Sequence, residues 1–313
     1  MSDKKVLITG GAGYLGTVLA EYLLERSYQV TVLDNLMYKQ LSLLHLFKYK
    51  NFEFVKADVR DKTLLQSLVA KHDIIIPLAA IVGMPACNEN PDLAVAVNHT
   101  QIVDIVSELS TEQIIIMPNT NSQYGSSTEI ITEQSEFKPL SLYAKTKCDA
   151  EDCVIEAGGV ALRLATVFGT SARMRQDLLV NDFVYRAYTD GYLVLFESHY
   201  KRNYIHIQDI ARTFEHIVNN YHSVQSEAFN VGLSDANLSK MELASKIKNH
   251  IPELVICQEE FKKDFDQRNY IVSNQKLEST GWYPMYDLDY GIKQLLGAYQ
   301  LIVPHNHRNF TNL

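Results

Sequence analysis

Two short groups of residues could do chemistry. Gly10-Gly11-Ala12-Gly13-Tyr14-Leu15-Gly16 stands between an apolar run at 5–9 and an amphipathic stretch at 18–24. Strand, glycine turn and helix in that order suit a dinucleotide pyrophosphate. Gly10 permits the tight turn, Gly13 lets backbone N–H groups approach the phosphates, and Gly16 lets helix and strand pack closely. The helix N-terminus adds partial positive charge. Past Gly16, the run Val30-Thr31-Val32-Leu33 ends in Asp34. A carboxylate there suits both ribose hydroxyls of NAD and repels the extra phosphate of NADP. No Arg or Lys follows before Lys39, so NAD is the expected cofactor. The second group is Tyr143 and Lys147, on one face of a helix that follows Pro139 and a capping Ser141. A phenol ionises at about pH 10. A neighbouring ammonium and a cationic nicotinamide both favour the phenolate, which makes Tyr143 a base, and Lys147 can also hydrogen-bond the nicotinamide ribose.

These groups need a frame, and the hydrophobic pattern predicts one. Up to about residue 165, β-rich runs at 52–55, 73–76, 113–117 and 160–164 alternate with helical stretches at 64–69, 91–109 and 141–156. Strands apolar throughout are buried on both faces, which means a parallel sheet with helices on each side. The expected fold is α/β, a Rossmann-like doubly wound parallel sheet. Beyond Gly169 the rhythm loosens into helices at 178–188, 210–219 and 287–301 and strands at 204–207 and 228–232. The pattern predicts an NAD-binding domain over 1–166 plus about 204–231. Residues 167–203 and 232–313 would form a smaller α/β substrate-binding lobe. Ligands in such sheets sit beyond the carboxyl ends of the strands.

Composition bounds the partners. A net charge of −8 with no basic stripe argues against nucleic acid. The N-terminus leads straight into a strand, and no apolar segment is long enough for a bilayer. A soluble cytoplasmic protein is therefore expected, with no membrane partner. Cys87, Cys148, Cys153 and Cys257 show no metal-ligand spacing, so no metal site is expected and the thiols read as reduced packing residues. Asp209 is expected to cap a helix from Ile210, and Trp282 to pack.

The loop Asn119-Thr120-Asn121-Ser122-Gln123-Tyr124-Gly125 follows the 113–117 run. A hydroxyl there can hold a substrate oxygen against Tyr143. Together with Asp58-Val59, Leu78-Ala79-Ala80, Arg163 to Gly169, Arg202 to Asp209 and Phe229 to Gly232, these motifs occur in an order that resembles the extended short-chain dehydrogenase/reductases, of the nucleotide-sugar epimerase and dehydratase kind. The resemblance covers nearly the whole length. It implies a triad of Thr120, Tyr143 and Lys147. It implies Tyr14, Leu15 and Asn35 beside the glycines and Asp34 in the cofactor site, with Asp58 and Val59 flanking the adenine and Leu78, Ala79 and Ala80 along the cofactor. Arg202 and Arg268 would reach the nucleotide diphosphate as forked donors, with Asn181 in the same cleft. Arg173 and Arg175 could do likewise or be surface charges. Implied too are a tightly held NAD, a nucleotide-sugar substrate, and a homodimer formed through the 91–109 and 141–156 helices.

Departures narrow the chemistry. In the family's 4,6-dehydratases an Asp-Glu pair follows the Thr, because eliminating water needs an acid and a base. Asn121 and Ser122 stand there in this chain, which argues against dehydration and leaves both as substrate contacts. Thr166, Thr170 and Pro77 replace the family's frequent Asn, Pro and His. The stretches 119–122, 163–169, 173–183 and 202–206 are similar to a branch that oxidises C4 of a GDP-linked manno-heptose in bacterial capsule or lipopolysaccharide biosynthesis. Three readings follow: oxidation at C4 with a GDP-linked sugar favoured, 4-epimerisation with the same triad, and a non-catalytic NAD-sensing binding protein. Retention of Tyr143 and Lys147 speaks against the third.

Overall fold

The computed structural model describes residues 4–259 and 269–302. Its centre is a seven-stranded parallel sheet. Strands β1 (Lys5–Thr9), β2 (Gln29–Asp34), β3 (Phe52–Lys56), β4 (Ile74–Pro77) and β5 (Ile114–Thr120) are joined by Val160–Leu164 and Ala228–Val231. The spatial order is β3, β2, β1, β4, β5, Val160–Leu164, Ala228–Val231. Strands are added outward in opposite directions on either side of the β1–β4 junction, the switch point at which a crevice opens. Alternate residues feed two cores. Val6, Ile8, Ile74, Ile76, Ile114 and Ile116 pack on one face with the Tyr14–Glu25 and Ile207–Asn219 helices. Leu7, Ile75, Ile115 and Met117 pack on the other with the Lys62–Val69 and Leu142–Glu156 helices. The doubly wound fold expected from the apolar runs is the fold observed.

Some elements depart from the sequence pattern. The 91–109 helix is Pro91–Val95, a π-turn over Ala96–Thr100, and Gln101–Val106. The wide turn carries Asn98, which accepts from Ile81 N at 2.8 Å and donates to Ile81 O at 3.0 Å. Gln101 donates to Ala79 O at 2.8 Å. Two buried amides thus hold the chain leaving β4. Asp209 does not cap the helix as expected. That helix begins earlier, at Ile207, with His206 as cap. Asp209 is fully buried and accepts from Met285 N, Tyr286 N and Arg212, so it anchors a distant loop. Cys87 and Cys148 are buried, but Cys257 is exposed, so packing does not account for all four thiols. Trp282 lies in the core. Outside the central sheet, Lys201–His206 runs parallel to Thr166–Phe168 and antiparallel to Asn237–Ser239, and Tyr192–Phe196 pairs with Val255–Glu259. No helix among the described residues is long and apolar enough to cross a membrane.

A buried ion pair joins the Leu142–Glu156 helix to the sheet. Glu151 and Arg163 are 2% and 6% exposed. Arg163 Nε and Nη2 donate to Glu151 Oε1 at 2.9 and 2.6 Å, and Nη1 reaches Tyr124 Oη at 2.7 Å and Glu133 O at 2.9 Å. The other carboxylate oxygen accepts from Asn119 Nδ2 and, at 3.2 Å, from Gln123 Nε2. Tyr124 Oη in turn donates to Asn230 Oδ1 at 2.8 Å. Breaking a buried pair leaves one charge without its partner and costs roughly 3–5 kcal/mol. Glu151→Ala is expected to lower the urea midpoint by a loss of about that size. The double change Glu151→Leu with Arg163→Met should recover much of it, since no buried charge is then left over.

Candidate active site

The crevice at the switch point is a groove of about 270 Å³ walled by the glycine turn, the end of β2 and the chain leaving β4. Gly10 has φ 68°, and a Cβ on it would lie 2.5 Å from Ala79 N, so only glycine allows the turn to approach Ala79. A Cβ on Gly16 would lie 2.5 Å from Gly11 Cα, so the helix packs on the turn itself. Gly13 is the N-cap of the first helix and supplies no side-chain cap, which leaves the first-turn N–H groups facing the groove without a side-chain acceptor. Asp34 Oδ1 accepts from Leu36 N at 2.7 Å and Oδ2 from Ala12 N at 3.0 Å. Burial pushes its pKa up, against those hydrogen bonds and the Arg173 charge. Asn35 donates to Asp58 at 3.2 Å, and the Arg60 guanidinium holds Asp58 well below the usual carboxylate range. Asn35, Asp58, Val59, Leu78, Ala79 and Ala80 all line the groove, as do Leu15 and Gly16. Glycines that a Cβ would fill, an open helix N-terminus and a fixed carboxylate fit NAD. Tyr14 borders the groove, but its phenol turns away and donates to Gly169 O at 2.7 Å.

Tyr143 and Lys147 wall the same groove. Ser141 caps their helix, its Oγ accepting from Ala144 N at 3.2 Å. Lys147 is 5% exposed. Burial lowers its pKa to about 8, and the Glu151 carboxylate one turn on opposes that fall. Thr120 ends β5. Its hydroxyl donates to Ser122 Oγ at 2.9 Å and accepts from Ser122 N at 3.1 Å. Beside it, Asn119 Nδ2 donates to Lys147 O at 3.1 Å as well as to Glu151, so the strand end and the helix are tied together. Asn121 is 1% exposed, and neither atom of its amide has a hydrogen-bond partner among the described residues.

The residues expected to bind substrate separate in the structure. Arg202 is buried on the Lys201–His206 strand. Asn181 is fully buried and its amide is engaged by Gly169 N at 3.1 Å, Arg175 O at 2.8 Å and Tyr14 Oη at 3.3 Å. It therefore orders the chain after Gly169 and offers no free donor to a cleft. Arg268 lies outside the described residues. Arg173 and Arg175, left between two roles by the sequence, both line the cofactor groove. Sequence reasoning missed Asn98, Gln101, Asn119 and Glu151. Asn119 carried a signal, being a polar residue directly after an apolar strand run, and Glu151 another, falling one helical turn past Lys147.

Residues 6–232 match the model of the NAD dependent epimerase/dehydratase family. The chain is 26% identical over 309 residues to the low-salt glycan biosynthesis protein Agl12 of Haloferax volcanii, covering 94% of this chain and 98% of that one. It is 24% identical to the CDP-paratose 2-epimerase of Salmonella typhi, covering 93% and 98%. The structure of a UDP-glucuronic acid 4-epimerase from Bacillus cereus superposes with a TM-score of 0.84 at 22% identity over 95% of this chain and 99% of that one. With the family's model matched across its glycine turn, its Tyr and Lys and its full sheet, this chain is a member of the NAD-dependent epimerase/dehydratase family and an enzyme that uses NAD.

Proposed function

We propose that the enzyme oxidises a nucleotide-activated sugar at C4 to a 4-ketosugar, with GDP-D-glycero-manno-heptose the favoured substrate, in bacterial surface-polysaccharide biosynthesis. The observation that carries the oxidation is Tyr143 beside a buried Lys147 on the groove wall, with the Thr120 hydroxyl at the adjoining strand end. NAD, when bound, supplies the hydride acceptor. Thr120 hydrogen-bonds the C4 oxygen, Tyr143 takes its proton, and the Lys147 ammonium favours the phenolate. Asn121 and Ser122 supply no carboxylate for eliminating water. The amide of Asn121 is buried without a partner among the described residues, so a sugar hydroxyl would reach it only if the turn after β5 opened. In this reading residues 167–203 and 232–313 form the nucleotide-sugar lobe, with Arg202 and Arg268 on the diphosphate. The preference for a GDP-linked heptose rests on the resemblance of the 119–122, 163–169 and 173–183 stretches. Two copies would pair through the 91–109 and 141–156 helices, where Val95 and Val103 are exposed. Likeness to the UDP-glucuronic acid 4-epimerase supports a second reading, 4-epimerisation.

A product assay separates the readings. Incubated with GDP-manno-heptose, GDP-mannose, UDP-glucose and UDP-galactose, the enzyme should remove H₂ from the GDP-heptose alone, seen by mass spectrometry. Inversion without a mass change, seen by NMR, would establish the epimerase instead. Tyr143→Phe should lower kcat by about 10²–10⁴-fold while bound NAD stays in place; undiminished turnover would refute the mechanism. The pH profile follows from Lys147, whose ammonium is present below about 8 and lost above it. Accordingly kcat/KM should fall on the alkaline side of about 8. Glu151→Gln removes the charge that holds this pKa up, so the alkaline limb should move to lower pH.

A further inference from the structure

The chain after Gly169 leaves the sheet and crosses back over the first turn of the Tyr14–Glu25 helix. Ser171 pins it there: its Oγ donates to Tyr14 O at 2.8 Å and pairs with Thr17 Oγ1 at 2.7 Å, while accepting from Arg173 N at 3.2 Å. Gln294 holds Thr170 N at 3.1 Å, and Asn181 holds Arg175 O at 2.8 Å. Between these pins Arg173 turns inward until it is 1% exposed. Its Nη1 donates to Met174 O at 2.9 Å, and its guanidinium lies 4.5 Å from the centre of the Tyr38 ring. Tyr38 stands in the loop after Asp34, where Leu36 (φ 56°) and Lys39 (φ 52°) are both left-handed, a strained shape for side-chain-bearing residues.

Tyr38 and Arg173 therefore meet across the mouth of the cofactor groove, which both line. Arg175 answers Asp177 with a salt bridge. Arg173 brings its charge to the groove wall, near enough to the Asp34 carboxylate for the two charges to act on each other. Burial and the nearby Arg175 charge push its pKa down, while Tyr38, Asp177 and Asp34 oppose the fall, and an anion in the groove would act in the same sense as these. A planar fork of donors is matched to a phosphate. We propose that Arg173 is a cofactor residue supplied from outside the glycine motif: its guanidinium holds the adenosine-side phosphate of NAD, and its stack on Tyr38 closes the groove and slows cofactor release. The proposal rests on the cofactor and is independent of the sugar.

The test needs no sugar. NAD release from the purified holoenzyme is timed into a scavenging dehydrogenase, and ADP-ribose and adenosine are titrated as competitors of NADH fluorescence. Arg173→Ala should speed release about tenfold or more and weaken ADP-ribose by the same factor, leaving adenosine unchanged. Tyr38→Ala should speed release, and Arg173→Lys should fall between wild type and Arg173→Ala. Should Arg173→Ala fail to fold, the Lys variant carries the comparison, and its ADP-ribose affinity must fall while adenosine holds. Release at the wild-type rate, or equal weakening of ADP-ribose and adenosine, would overturn the proposal, the latter by showing that Arg173 only shapes the groove.

Discussion

A carboxylate buried in an α/β core must have its lone pairs met by donors, because water cannot meet them. Glu151 meets that demand with Arg163, Asn119 and Gln123, which come from a neighbouring strand, the end of β5 and the turn after it. Satisfying one side chain therefore fixes three pieces of backbone. Tyr143, Lys147 and Glu151 recur at intervals of four, so the helical face that carries the reactive groups also carries the anchor. Asn119 closes the loop by holding Lys147 O as well. The helix cannot slide along the sheet without breaking this set, and misplacing a base relative to its substrate by even a small distance is costly in rate.

The two ends of the groove are built on different logic. At the glycine-turn end the groove presents mostly backbone, the turn itself and a helix N-terminus, with the Asp34 carboxylate clamped by two backbone N–H groups and Arg173 in the wall. Side chains there mainly keep the backbone in place, as Asn98 and Gln101 do for Ile81 and Ala79. At the end walled by Tyr143 and Lys147 the groove presents side chains, and the Lys147 pKa is set by what lies behind it. Lys147 is pulled down by burial and held up by Glu151. The anchor of the helix thus also acts electrostatically on Lys147.

Much of the fold was legible because buried parallel strands leave apolar runs and the glycine turn leaves a spacing. Tyr143, Lys147 and Ser141 were legible for the same reason, since helical spacing is local. Long-range polar contacts were not. Asp209 looks like a cap by position, yet its partners are Met285 and Tyr286. Asn181 looks like a cleft residue, yet it serves Gly169 and Arg175. Tyr14 sits inside the motif, and its phenol serves Gly169. The π-turn at Ala96–Thr100 follows from a packing demand on Asn98 that no periodicity records.

Cofactor retention and net reaction are linked. In the proposed reaction, once a hydride has left C4, a reduced cofactor that cannot depart can only return it to the ketosugar or to another acceptor brought to the same site. Returned to the opposite face, it gives inversion; withheld while the ketone leaves, it gives net oxidation and demands that something else reoxidise the cofactor. With the role proposed for Arg173, a groove closed over the adenosine side would oppose exchange and leave the sugar side as the route for traffic. The ratio between the two outcomes then depends on how quickly the 4-ketosugar leaves. On the same proposal, Asn121 and Ser122 stand in place of carboxylates and elimination would not compete for it, so ketone release and hydride return would be the two fates left open.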